Sequence, residues 1–313
     1  MTRLRPLLKF FFSWFDNQIA AEKRAHKENH IDWWRVIPFV LLHVACFSLI
    51  WVGWSWFAVI FAIVLYAIRM FAITGFYHRY FAHKSFQTSR VGQLIFAIIG
   101  ATAVQRGPLW WAAHHREHHV HSDQDQDAHS PVQHGFFWSH MGWFLSTTNF
   151  ATKFERVKEL ATFPELRFLD RFDVIVPVLF AIAIYGLGEL LANMAPHLHT
   201  NGLQLLVWGF VISTVALYHA TFSVNSLAHV WGKRRYQTRD HSRNNFLIAL
   251  LTLGEGWHNN HHHYPGAAKQ GFYWWEIDFT YYGLRLLAAL GLIWNLRQVP
   301  IEIRESKQYK KSI

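Results

Sequence analysis

The chain has 313 residues, 52% of them hydrophobic and only 16% charged, well short of the roughly 25% charged composition of a soluble domain, so a soluble globular fold is excluded. Its one cysteine, Cys46, rules out a disulfide framework and any thiolate-held metal centre. The formal charge of +10 is distributed around the ends of apolar runs, not in one aromatic-interleaved patch, which excludes nucleic acid as partner and fits a membrane surface carrying anionic lipid.

In chain order, Arg3, Arg5 and Lys9 precede Phe10, Phe11 and Phe12 with no small-residue cleavage site. That pattern reads as an interfacial segment, not a signal peptide. Four runs are long and apolar enough to span, at about residues 36–51, 56–73, 174–195 and 203–222. The first pair is joined by residues 52–55 and the second by residues 196–202, and neither connection holds Lys or Arg. The remaining segments are rich in both, which places the termini and the long middle segment in the cytoplasm. Residues 91–104 are short for a span, and residues 279–296 carry Arg285; both read as non-crossing helices of the cytoplasmic side. The expected fold is therefore all-α and integral to the membrane. A single domain over residues 1–313 has four transmembrane helices in two hairpins, and a cytoplasmic helical cap from residues 74–173 and 223–313 carries a histidine-ligated dinuclear metal site.

The cap holds the chemistry. His115, His118 and His119 stand at i, i+3 and i+4, as do His258, His261 and His262, so each helix presents three imidazoles within about a 100° arc. Asn225 and His229 share a face where the fourth run ends. His78 and His83 are five apart, roughly 140° on an ideal α-helix. They converge only if the helix unwinds, and otherwise serve two different metals, as a dinuclear site needs. Imidazole suits borderline transition metals, and this many imidazoles suits two ions. His26, His30 and His43 stand isolated, His114, His121 and His263 point away from the ligand arcs, and His219 reads as a histidine satisfied within its helix. Glu117, Asp123, Asp125, Asp127, Asp240 and Glu255 are the carboxylates near enough in sequence to orient the rings. The absence of carboxylates at ligand spacing separates the pattern from Glu-x-x-His di-iron bundles and from magnesium, manganese or calcium sites.

These motifs resemble a membrane fatty acid desaturase of the acyl-CoA delta-9 (stearoyl-CoA) type. The matching stretches are Gly75-Phe-Tyr-His-Arg-Tyr-Phe-Ala-His83, Trp110-Trp-Ala-Ala-His-His-Arg-Glu-His-His119, His129-Ser-Pro131, Gly135-Phe-Phe-Trp-Ser-His140, Asn225-Ser-Leu-Ala-His229 and Gly254-Glu-Gly-Trp-His-Asn-Asn-His-His-His-Tyr-Pro265. They agree in order and spacing from about Pro38 to Tyr282. The resemblance implies two iron ions on His78, His83, His115, His118, His119, His229, His258, His261 and His262, with Asn225 acting through a water. It also implies a bent acyl tunnel lined by Gln105, Trp111 and Thr221. The activity it implies uses O2 and two electrons to place a cis double bond in a saturated fatty acyl-CoA or acyl-lipid. Fused family members carry a cytochrome b5 domain that these residues lack, so a separate electron donor is expected: a ferredoxin, cytochrome b5 or a flavin/iron–sulfur reductase. The Trp-Trp-Ala-Ala-His-His stretch looks bacterial, which places the enzyme in an inner membrane with its active site on the cytoplasmic face. Met70 and Tyr66 lie roughly 12 and 18 Å below His78 along the second run, where the resemblance implies that the methyl end of a chain desaturated at mid-length would stop. The alternatives are a di-iron acyl or alkane hydroxylase, which would share the ligands, and a metal transporter, which would need ionisable residues facing each other inside the spans.

Overall fold

A computed structural model of the protein describes residues 12–22 and 30–306; Arg3, Arg5, Lys9, Phe10 and Phe11 of the expected interfacial segment lie outside them. Four helices are long and apolar enough to cross a membrane: Trp33–Val52, Trp56–Ala82, Ile175–Met194 and Gly202–Val230. Hydropathy locates their lipid-facing parts and misses their length. The second and fourth run on to Ala82 and Val230, because a helix continues while its backbone bonds do, whatever its side chains face. These extensions carry His78 and His229 beyond the apolar segments.

Local signals set the turns. The first span stops at Gly53, whose φ of 64° suits a residue without a Cβ. Ser55 then caps the second span by accepting from the Ala58 amide at 3.1 Å. The same hydroxyl donates to Gln204 Oε1 at 2.8 Å. Trp208 Nε1 donates to the Gly53 carbonyl at 3.0 Å, which ties the first connection to the start of the fourth span.

A charged residue, Arg69, lies buried midway along the second span. Arg69, 1% exposed, gives its five N–H groups to neutral acceptors: the carbonyls of Leu65, Thr102 and Gly209 and the hydroxyls of Ser213 and Thr214. Every donor is satisfied, so the guanidinium staples the second and fourth spans to the Thr102 turn.

The shorter helices do not cross. Arg90–Ala101 has 12 residues, about 18 Å of helix against a hydrocarbon core of about 30 Å. It packs so closely on Tyr77 that a Cβ at Gly100 would fall 2.1 Å from the ring. Phe279–Ala289 is equally short at 11 residues. After it the all-helical expectation breaks briefly: Ile293–Trp294 pairs antiparallel with Gln87–Thr88, fastening the end of the chain beside the segment that follows His83.

Candidate metal centre

The helix around His78 is a π-helix from Ala72 to Ala82, closed at its end by the His83 amide donating to the His78 carbonyl at 3.1 Å. A ladder of i→i+5 bonds makes five residues about one turn, so His78 and His83 project to the same side. Of the two alternatives left by their spacing, the structure takes the first: the helix widens and the two rings converge. Both belong to one group with His115, His119 and His261, while His118, His229, His258 and His262 form a second.

The two His-x-x-His-His helices each divide between these groups. From His115, position i+4 lies about 40° one way and i+3 about 60° the other; His119 joins His115, and His118 turns to the second group. On the helix His258–His263 the rule repeats with the groups exchanged, so His258 and His262 stay together and His261 crosses over. One helical arc therefore feeds two adjacent clusters.

The donor geometry fits metal ions. In the first group Nε2 atoms approach one another at 3.0 Å (His78–His261), 2.8 Å (His261–His119), 3.0 Å (His119–His115) and 2.8 Å (His115–His83). Two nitrogens held at right angles, each about 2.1 Å from a common ion, are about 3.0 Å apart. Imidazoles cannot satisfy each other in this way, because one Nε2 cannot serve both neighbours as donor and acceptor. In the second group the buried His262 Nε2 has no hydrogen-bond partner, and His229 and His258 approach at 3.0 Å. A set of all-imidazole donors suits iron, zinc, copper or nickel and disfavours the oxygen-seeking cations.

Carboxylates fix ring orientation, as metal-bound histidines require. His78 Nδ1 meets Glu255 at 2.5 Å, His118 Nδ1 meets Asp127 at 2.9 Å, His229 Nδ1 meets Asp123 at 2.9 Å and His262 Nδ1 meets Asp240 at 2.6 Å. Burial alone would push these acids up. Their histidine partners outweigh it and hold Asp123, Asp127 and Asp240 below the ordinary carboxylate value, as His78 and Arg79 do for Glu255. Arg79 bridges Glu255 and Asp278, anchoring the π-helical turn to the C-terminal loop. Glu117 has no such role; it pairs outward with Arg156 and Lys153.

Beside the two groups runs a cavity of about 400 Å³, lined by Phe39, Leu42, Phe144, Tyr218 and Phe222, with Arg35 and Arg106 also on its wall. Gln105, Trp111 and Thr221 all border it and bond in series: Trp111 Nε1 donates to Gln105 Oε1 at 3.4 Å, and Gln105 Nε2 to Thr221 Oγ1 at 3.1 Å. Val104 and Arg106, on either side of Gln105, hold φ of 60° and 71°, a conformation costly for a β-branched residue. Tyr218 pins it through a 2.7 Å bond to the Val104 carbonyl. A smaller cavity continues past Trp111, Thr221 and Asn225, touches His78, His118 and His258, and ends at Met70, Ile73 and Thr74. Tyr66 lines neither cavity; its hydroxyl donates to the Leu251 carbonyl at 2.6 Å.

Two features escaped the sequence reading. His129 lies buried on the cavity wall, with its ring 4.3 Å from that of His118. Its only signal was its place in the His129-Ser-Pro131 stretch. His43 is not isolated and His219 is not satisfied within its own helix: His219 bridges His43 Nε2 at 3.1 Å and His140 Nε2 at 3.0 Å, a contact between segments far apart in sequence.

Four helices apolar enough to span a membrane, nine converging imidazoles in two groups that could each hold a metal ion, and an apolar cavity beside them mark the class of helical membrane protein to which the chain is similar. Residues 54–294 match the family described as fatty acid desaturase, and the chain belongs to that family. It is 37% identical over 229 residues to the chloroplastic palmitoyl-monogalactosyldiacylglycerol delta-7 desaturase of Arabidopsis thaliana, covering 72% of this chain and 58% of that one, under two thirds of its length. It is 37% identical over 290 residues to an acyl-CoA C20 Delta5-desaturase of Anemone leveillei, covering 91% and 88%. It is also 37% identical over 270 residues to the sn-1 stearoyl-lipid 9-desaturase of Anabaena variabilis, covering 85% and 94%.

Proposed function

We propose that the protein is an O2-dependent di-iron desaturase that places a cis double bond, at the delta-9 position, in a saturated fatty acyl chain. The carrying observation is the convergence of nine imidazoles into groups of five and four at the junction of two apolar cavities. The balanced reaction is R-CH2-CH2-R′ + O2 + 2 e⁻ + 2 H⁺ → R-CH=CH-R′ + 2 H2O. His78, His83, His115, His119 and His261 hold one iron, and His118, His229, His258 and His262 the other, with Asn225 beside the second through a water. When bound, the irons supply the oxidising power needed to break unactivated C–H bonds.

The protein's own part is position. Phe39, Leu42, Phe144 and Phe222 enclose the chain in apolar surface and keep water from the reacting carbons. The Trp111–Gln105–Thr221 series sets a bend where the large cavity meets the small one, so two adjacent CH2 groups are presented together in a folded conformation, as a cis product requires. Met70 closes the far end and selects chain length.

The formal charge of +10 suits a phosphorylated carrier, and the reading is that the acyl group arrives on coenzyme A. Relatives named for acyl-CoA and for acyl-lipid substrates are equally similar, so both carriers belong in the test. The four spans lie in two hairpins with the histidine cap and both termini on the cytoplasmic side, in a bacterial inner membrane. Purified protein with iron, a reductant system and either stearoyl-CoA or stearoyl-phospholipid is expected to yield a delta-9 alkene by gas chromatography. An alcohol would instead make it a hydroxylase; no product from either carrier, with two irons bound, would overturn the assignment.

A further inference from the structure

An acyl chain filling the large cavity blocks that approach to the metals, yet two electrons must arrive for every double bond formed. The structure has a second approach. An open cleft of about 570 Å³ is lined by Trp231, Lys233, Arg234, Arg235, Phe246 and Trp257, among others, and shares no residue with either acyl cavity. Its two tryptophans stand close in sequence to members of the four-histidine group: Trp231 two residues after His229, and Trp257 directly before His258. Trp257 lines the cleft yet is only 7% exposed, and its Nε1 donates to the Ile277 carbonyl at 2.8 Å, which fixes the ring. The cleft is also laced to the metal-bearing turn. Lys233 and Asn244 exchange backbone bonds at 2.9 and 2.8 Å, and Asn244 Nδ2 donates to Asn260 Oδ1 at 2.7 Å, between His258 and His261.

The charge at this cleft is strongly one-sided. Residues 233–243 hold Lys233, Arg234, Arg235, Arg239 and Arg243 against Asp240 alone, and the Asp240 carboxylate faces inward to His262. We propose that this cleft docks the electron donor, an acidic one-electron carrier protein, and that Trp257 relays its electrons to the four-histidine ion. The inference rests on the desaturase reading: two reduced carriers are oxidised, and their two electrons reduce the iron pair for one O2. A protein surface fits better than a lipid phosphate because the arginine forks are already engaged. Arg234 Nη2 donates to the carbonyls of Thr238 and Asp240 at 3.0 and 2.7 Å, and Arg235 pairs with Glu276. They provide a steering field, not a phosphate socket.

The test uses the full iron-loaded chain in neutral phosphatidylcholine nanodiscs, with an acidic [2Fe–2S] ferredoxin as probe. Lys233→Glu combined with Arg239→Glu is expected to weaken ferredoxin binding at least tenfold and flatten its salt dependence. Iron content and dithionite-driven product should stay at wild-type levels, and Lys158→Glu, on another segment, should leave ferredoxin binding unchanged. Trp257→Leu is expected to slow ferredoxin-driven iron reduction, followed by stopped-flow absorbance, at least tenfold without changing the affinity. Unaltered ferredoxin affinity in the double variant overturns the proposal, as does equal loss in Lys158→Glu. Reduced binding to anionic phosphatidylglycerol vesicles with ferredoxin binding intact would also overturn it and make the cleft a lipid contact. Failure of wild-type protein to make product even with dithionite strikes at the desaturase reading instead, and ferredoxin binding then still decides whether the cleft docks a carrier.

Discussion

The two histidine groups solve the same problem by different means. The first gathers five imidazoles and backs one of them, His78, with a carboxylate; the second has four and backs three, through Asp127, Asp123 and Asp240. A carboxylate behind an imidazole raises its basicity as a ligand and locks its orientation. One group thus relies on the number of donors and the other on negative charge one bond away, and both border the smaller cavity.

The hardest test of this division is removal of a donor from the smaller group. His118→Ala is expected to abolish product and to deplete both irons, because His118 sits at the junction of the groups and its helix feeds both; iron analysis beside gas chromatography reads both effects. Retention of two irons would break the comparison.

Acid probes the carboxylate-backed region next. Burial, then the charge of His118, pushes the imidazole of His129 down to about 3, and burial with Lys153 pushes His114 to about 3. Both values lie below the ordinary 6.5, so the unfolded chain binds more protons between those limits. Stability is full above about 6.5 and falls as pH drops toward 3, by up to about 1.4 kcal/mol per unit for each group. Asp123, Asp127 and Asp240 add a loss only below the ordinary carboxylate range. Melting of the metal-free protein in detergent should therefore decline from pH 7 to 5, and a flat profile would remove the neutral-histidine account.

Single carboxylates sharpen the contrast further. Asp123→Asn should cost 10- to 100-fold in affinity for one ion, seen as loss of about one iron per chain after chelator dialysis. Glu255→Gln should cost less, since four unaltered imidazoles remain in its group. Equal losses would show that donor number gives the first group no advantage. The smallest effect belongs to the end of the smaller cavity: Met70→Ala should shift selectivity toward longer acyl chains by about tenfold, measured by competition between C16, C18 and C20 substrates.

Much of this was legible in the residues. The i, i+3, i+4 spacing named the imidazoles of two helices because a helix is a local structure with a fixed period. The same spacing even contains the split between groups, since i+3 and i+4 fall on opposite sides of i. What it hid depends on distant contacts. Nothing local marks Asp123 as the partner of His229, which is 106 positions away, or Gln105 as bonded to Thr221. The reach of the second and fourth spans beyond their apolar runs was invisible because hydropathy reports solvent, not helix. Tyr66 shows the limit of rise-per-residue arithmetic: depth along a helix says nothing about which side a ring faces.

The wide helical turn from Ala72 to Ala82 also makes the first cluster sensitive to chain length in a way that no side-chain substitution can imitate. It accommodates an extra residue per revolution, so excising one position such as Ile73 would let the backbone relax to the common pitch and rotate everything beyond it by about 100°. Bilayer insertion, decided by the apolar stretch beneath, would proceed as before, while His78 and His83 could no longer meet. A shortened protein of this kind would separate membrane assembly from metal capture by a single codon.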